Sequence, residues 1–274
     1  MKARISNFII ILLISSHSFA QQKLPTAAPL LAPSICGKGV FFFWLGDRSI
    51  GREEFEIKCQ SDGGYAASAH TDLKIPGAAL DLNSTLEVDK TGSPLSSNAK
   101  GTVNGKPFDQ SVVVKGATAA ITTSGVTKEL PFAKDASLVG GNIFYMNQFL
   151  LARYDAARGG VQQLPIFPNA SARVERVARD EVQATGIAAS PAPVAMDRYS
   201  VTIGLSNVVV WVDAKGRIAT LAIPLQNFAA VREEYSSFVP SFEAILSASL
   251  KEAEVDYNVP PSAPFTAEEV TVEA

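Results

Sequence analysis

Hydrophobic and polar positions alternate with a period of two over much of the stretch from Pro33 to Phe132, the pattern of strands with one buried and one wet face. The segment from Arg52 to Cys59 is strictest, with Glu53, Phe55, Ile57 and Cys59 on one side and Arg52, Glu54, Glu56 and Lys58 on the other. Before it, Val40 to Leu45 is a continuous apolar strand through Phe41, Phe42, Phe43 and Trp44. Tyr65 to Leu73 and Leu80 to Val88 follow, the second with Leu80, Leu82, Leu86 and Val88 on one face. Asn104-Gly105 is the strongest turn signal, since both residues tolerate the positive φ of a two-residue hairpin, and it joins Asn98 to Val103 with Phe108 to Val114. Ala117 to Thr123 and Val126 to Phe132 complete a meander that curls into an open barrel or half-barrel.

The period then changes. Ile143, Met146, Leu150 and Tyr154 fall on one stripe, broadened by Phe144 and Leu151 and stopped by Gly159-Gly160, which predicts a helix from Ile143 to Asp155. Such a helix would plug the concave face of the sheet, as a core cover or as a gate. Strands resume at Val161 to Phe167, Ala172 to Val182, Tyr199 to Ile203, Val208 to Asp213 and Arg217 to Ile223. The second of these also has helical spacing at Val174, Ala178 and Val182. Asp213-Ala214-Lys215-Gly216-Arg217 reads as a hairpin loop, and Pro240 opens a helix carrying Phe242, Ile245, Leu246 and Leu250 on one side. The expected fold is α+β, mainly antiparallel β: a curved open sheet or half-barrel with one or two packing helices.

Composition refines the layout. Residues 1–20 combine the cations Lys2 and Arg4, an apolar run and a Ser18-Phe19-Ala20 end, a secretory leader cut after Ala20. The protein is therefore expected to be exported, periplasmic or extracellular. The leader's apolar run is far short of the roughly 20 residues that span a bilayer, and no later segment reaches that length without charges, so no stable membrane insertion is expected. Residues 21–35 read as a proline-rich linker with Pro25, Pro29 and Pro33, and 36–256 as the β-rich domain, dividing near 135–160 if it divides. In residues 257–274, Pro260, Pro261 and Pro264 precede the alternation Ala267 to Glu273, which reads as a linker and the start of a next domain. The formal charge is −3, and loss of Lys2 and Arg4 makes the remainder two units more negative, so no nucleic-acid partner is expected. Arg173, Arg176, Arg179, Arg198 and Arg217 alternate with acids as on a solvated surface. A hydrophobic content of 47% is enough for a sizeable core.

Candidate chemistry is sparse. Cys36 and Cys59 flank the first hairpin, as a disulfide or as two separate buried thiols. His70 is the single histidine after the leader and there is no CxxC, so no metal site is read. There is no Walker sequence or GxGxxG, hence no cofactor. Gly204-Leu205-Ser206-Asn207-Val208 lacks the second glycine of a nucleophile elbow, and His70 lies on the wet Ser68/Asp72 side of its strand. Glu54 and Glu56 share a face with Arg52 and Lys58, the alternation of a wet surface and not a glycosidase pair. No catalytic residue is assigned. Asn83-Ser84-Thr85 and Asn169-Ala170-Ser171 match glycosylation acceptors. The aromatics Phe41 to Trp44, Phe55, Phe144, Phe149 and Trp211 form a core or line a pocket for an apolar ligand.

Two stretches carry a resemblance. Trp211 to Tyr235, WVDAKGRIATLAIPLQNFAAVREEY, with YNVPPSAPFTAEEVTVEA from Tyr257, resembles the amino-terminal β-rich domain of exported bacterial α/β-hydrolases of the dienelactone-hydrolase or peptidase-like kind. That resemblance implies a downstream hydrolase domain as partner, with nucleophile, acid and histidine all beyond Ala274, and a non-catalytic accessory role for this chain. GREEFEI, from Gly51, resembles the opening of periplasmic half-barrel domains of unknown function, distantly similar to lipoprotein-carrier folds. The alternative expectation is thus a periplasmic carrier holding a lipid or other apolar small-molecule ligand in the curved sheet, beneath the helix Ile143 to Asp155.

Overall fold

The alternating segments assemble into one antiparallel sheet of fourteen strands in the computed structural model, which describes residues 33–75, 77–185 and 192–256, the last five by backbone alone. The leader, most of the linker before Pro33 and the stretch 257–274 lie outside the described residues. The first meander comprises β1 (Gly37–Leu45), β2 (Arg48–Cys59), β3 (Tyr65–Ile75), β4 (Ala78–Val88), β5 (Pro94–Val103), β6 (Lys106–Lys115), β7 (Thr118–Thr123) and β8 (Val126–Pro131). The second comprises β9 (Gln162–Ile166), β10 (Ala170–Val182), β11 (Val194–Ile203), β12 (Ser206–Val212), β13 (Ile218–Ile223) and β14 (Phe228–Arg232). They join along β1 and β14, so that β8 and β9 are the edges. A twisted sheet wider than about ten strands must curl. Here the segment after β8 runs straight to the other edge: Ser137 donates its N–H to Pro165, Phe167 donates to Ser137, and the Phe132 and Phe167 rings lie 5.4 Å apart. The sheet is open, and it is not closed into a barrel.

Curvature has local causes. Ile50 is an extra residue opposite the Phe43/Trp44 step of β1, a bulge that bends β2. Next to it Gly51 has φ +152°, and a Cβ there would meet the Asp72 carbonyl oxygen at 2.1 Å, so only glycine lets β2 approach β3. In β10 the register shifts between Arg176 and Ala178, leaving Val177 exposed. That one residue reverses the alternation, so Val174 joins the inner core and Val182 the outer one. The helical spacing in this stretch is therefore a bulged strand.

Two hydrophobic cores result. The inner one gathers alternate side chains of both meanders, among them Phe43, Phe55, Leu86, Val174, Tyr199 and Ala230. The outer one lies behind the second meander, where Met196, Trp211, Ala219 and Val231 pack under a 3₁₀ turn (Glu233–Phe238) and a helix (Val239–Asp256). Burial on both faces explains why β12 and β13 read as continuous apolar runs. Pro240 sits in the helix's first turn, where its missing N–H costs nothing.

One expectation changes. The helix predicted from Ile143 to Asp155 is reduced to α1 (Asn147–Leu151), with turns on either side, because tertiary partners take up its backbone groups. The long carboxy-terminal helix, α2 (Val239–Asp256), is the main helix of the fold. Strands from both sides of residues 135–160 belong to the same sheet.

Candidate functional site

Glu53 is the most unusual side chain of the inner face. Alternation along β2 puts it between Phe55 and Gly51, and it is completely buried. A carboxylate there needs donors. Tyr145 gives its backbone N–H to Oε1 at 2.7 Å, while Phe144 N–H and the Thr71 hydroxyl reach Oε2 at 2.9 and 3.0 Å. Burial pushes the carboxyl up to about 7, with these three hydrogen bonds pulling the other way. The signal was in the sequence, as one acid on an otherwise apolar face. Its backbone partners Phe144 and Tyr145, 91 and 92 residues downstream, were not.

Glu53 anchors the start of the segment that fills the concavity. Phe144 packs between Phe43 and Phe228, with ring centroids 4.7 and 5.3 Å away, Tyr145 stacks on Phe55, and Phe149 meets Tyr65 edge-on. Further along, Gln148 donates to the Gly216 carbonyl at 2.7 Å and accepts from Ile218 N–H at 3.1 Å, which ties α1 to the β12–β13 hairpin. Arg153 donates to Gly92 O and Ser93 Oγ, both at 3.1 Å, and pairs with Asp135. The space beneath this segment, where a ligand was expected, is packed; what remains between Phe41, Phe55 and Tyr145 is about 10 Å³. Phe41, Phe43, Phe55, Phe144, Phe149 and Trp211 are all core residues.

Residues weighed for chemistry stay apart. His70 is exposed, with Nδ1 3.3 Å from Asn83 Oδ1. Glu54 pairs with Arg52 at 2.7 Å and Glu56 with Lys58 at 3.5 Å on the outer surface of β2. Cys36 and Cys59 are bonded to one another, with Cα atoms 5.7 Å apart, linking the approach to β1 with the end of β2. Among the described residues no three histidine, cysteine or acidic side chains converge to hold a metal. Arg173 and Arg179 stay exposed as expected, whereas Arg176, Arg198 and Arg217 depart from the solvated surface expected of them. Arg176 is buried against Asp197, Arg198 lies beside Asp180, and Arg217 is held by Asp213, which also accepts from Tyr235 at 2.7 Å. Burial, with the Asp213 carboxylate, pushes the Tyr235 phenol up to about 12. The 3₁₀ turn and the tertiary packing around these strands enclose charges that an isolated strand would leave in water.

Open space survives at the rim of the concavity, in a cleft of about 380 Å³ between residues 139–147 and the ends of β9, β11, β12 and β13. Its walls are Phe144, Ile166, Ile203, Val208, Leu221 and Phe228; Asn142, Asn147, Ser206 and Gln226 supply polar groups, and no charged side chain lines it. Leu205 and Leu225 stand in the two turns adjoining it, 98% and 87% exposed. Each is flanked by lining residues, Ile203 and Ser206 for the first and Ile223 and Gln226 for the second. Among the described residues no helix is long and apolar enough to cross a membrane.

No protein-family model matches this chain, and no curated protein matches its sequence. Its structure is similar to those of domains of unknown function. One is the crystal structure of a β-barrel-like protein of the DUF1849 domain from Brucella abortus, at a TM-score of 0.48 and 11% identity, covering 71% of this chain and 93% of that one. Another is a DUF1089 family protein from Pseudomonas aeruginosa, at a TM-score of 0.37 and 11% identity, covering 61% of this chain and 87% of that one.

Proposed function

We propose that this chain is an exported, non-catalytic binding protein that holds an apolar, uncharged small molecule in the rim cleft. The observation that carries the reading is a charge-free apolar cleft with exposed leucines, Leu205 and Leu225, in the turns beside it. Single exposed leucines are ordinary, but apolar side chains gathered around an opening mark ligand or lipid contact. The cleft's 380 Å³ falls within the roughly 300–1,000 Å³ of small-molecule sites. Because Glu53, Gln148 and Arg153 fix the neighbouring segment, its wall is formed in advance and a ligand bears little ordering cost. The absence of charge in the lining favours an uncharged ligand with a hydroxyl or amide head that Asn142, Asn147 or Gln226 can meet. Export rests on the leader reading of residues 1–20, and the Cys36–Cys59 bond suits an oxidising compartment.

The hydrolase-accessory reading has less support. Its first stretch, Trp211 to Tyr235, runs from the end of β12 through β13 and β14 into the 3₁₀ turn, so its apolar pattern is accounted for by packing within this domain. The test is organic extraction of the exported protein, purified without detergent, followed by mass spectrometry, alongside Val208→Phe, which fills the cleft. A neutral lipid-like molecule recovered from the parent and depleted in the variant supports the proposal. Equal recovery from both, or none from either, overturns it.

A further inference from the structure

A second space lies on the opposite face of β13 and β14, beneath α2. The strand register explains it. Trp44 pairs with Ala229, and Ala229 with Ala222, so the middle of this cross-strand row is two methyl groups. In the neighbouring row Phe42 pairs with Val231, Val231 with Thr220, and Thr220 with Trp211. The alanines form a low floor between the two tryptophans, and α2 bridges it with Phe242, Leu246 and Leu250, leaving about 230 Å³. Leu250 stays 47% exposed at the edge of this space, on the helix face that was expected to be covered.

Two polar atoms of this space lack partners among the described residues. Thr220 is 1% exposed, yet its hydroxyl has no hydrogen-bond partner among the described residues, and neither has the buried indole N–H of Trp44. Trp211, by contrast, spends its N–H on Asp180 at 2.7 Å. A buried donor without an acceptor loses the hydrogen bond that water would have given it, so two lining one apolar slot call for an acceptor from outside the chain. The charged side chain of the lining is Glu243, an acid that disfavours an anionic occupant.

We infer that the space beneath α2 is a second binding site, separate from the rim cleft, for a neutral acyl ester whose chain lies over Ala222 and Ala229 and whose oxygens accept from Thr220 and Trp44. The chain's two tryptophans, Trp44 and Trp211, both line it, and neither lines the rim cleft. Intrinsic fluorescence therefore reports this site.

The experiment titrates the protein with methyl laurate and with laurate, below the micellar range, and follows tryptophan emission. Methyl laurate produces a saturable shift in emission and laurate a much weaker one. Thr220→Val raises the Kd roughly two- to tenfold, the loss of one hydrogen bond. Ala229→Leu, which fills the floor, abolishes the response, and Val208→Phe in the rim cleft leaves it intact. Should Ala229→Leu fail to fold, Ser247→Phe closes the space from an exposed helix position and gives the same loss. The absence of a saturable shift, a shift that survives Ser247→Phe, or equal binding of laurate overturns the inference.

Discussion

Replacing Glu53 gives the sharpest energetic test of how the concavity is held. Its carboxyl titrates near 7 in the folded protein against an ordinary value of 4.5, and it is fully buried, so solvent does not dilute the effect. A raised folded value means that the native state holds the proton more tightly than the unfolded chain. The contribution is fully present below about pH 4.5 and is lost as pH rises through about 7, amounting to about 3 kcal/mol at about 1.4 kcal/mol for each unit of difference. Glu53→Gln removes the titration, so stability from urea denaturation at pH 4.5, 5.5, 6.5 and 7.5, compared with the parent, isolates this window. The parent should lose about 3 kcal/mol more than the variant across it. Glu53→Ala deprives Phe144 N–H, Tyr145 N–H and the Thr71 hydroxyl of their acceptor and should cost roughly 3–6 kcal/mol at pH 7. Parallel pH profiles for the parent and Glu53→Gln would refute the reasoning.

Other sites yield narrower expectations. Gly51→Ala places a methyl group against the Asp72 carbonyl and should cost at least about 2 kcal/mol, read as a lower denaturation midpoint at unchanged slope. The unreduced protein should show no titratable thiol among Cys36 and Cys59, and the double Cys→Ser variant should lose about 3 kcal/mol, the loop-entropy value for a separation of 23 residues. Changing both Leu205 and Leu225 to Ser should leave the melting temperature within a degree or two while slowing transfer of a neutral lipid from vesicles; unaltered transfer would remove these leucines from the loading step.

The strands were legible because alternation is a local record of burial, and Arg52 to Lys58 shows it: Glu53, Phe55 and Ile57 are buried, Arg52, Glu54 and Lys58 exposed and Glu56 intermediate, the pattern ending at Cys59, which is exposed. Phe228–Arg232 escaped notice, because a five-residue strand centred on two alanines has too little contrast to alternate. The stretch Ile143 to Asp155 has a helical stripe but folds mostly as turns, since the acceptor for Phe144 and Tyr145 is a carboxylate on a distant strand. Val177 defeats periodicity differently, by adding one residue that swaps the faces of β10. The clefts were least readable. One arises where the turns at Gly204 and Pro224 meet residues 139–142, the other where Ala222 and Ala229 become cross-strand neighbours, and neither juxtaposition exists before the sheet is paired.

The central claim is that the rim cleft binds an uncharged apolar molecule, and methyl-resolved NMR during titration with 1-decanol tests it most directly. The account predicts saturable shifts at the methyl groups of Ile203, Val208, Leu221 and Ile223, with Leu86 and Val174 in the packed core unmoved. Methyl signals around the cleft that stay in place at saturating decanol, or that move equally in Val208→Phe, would contradict it.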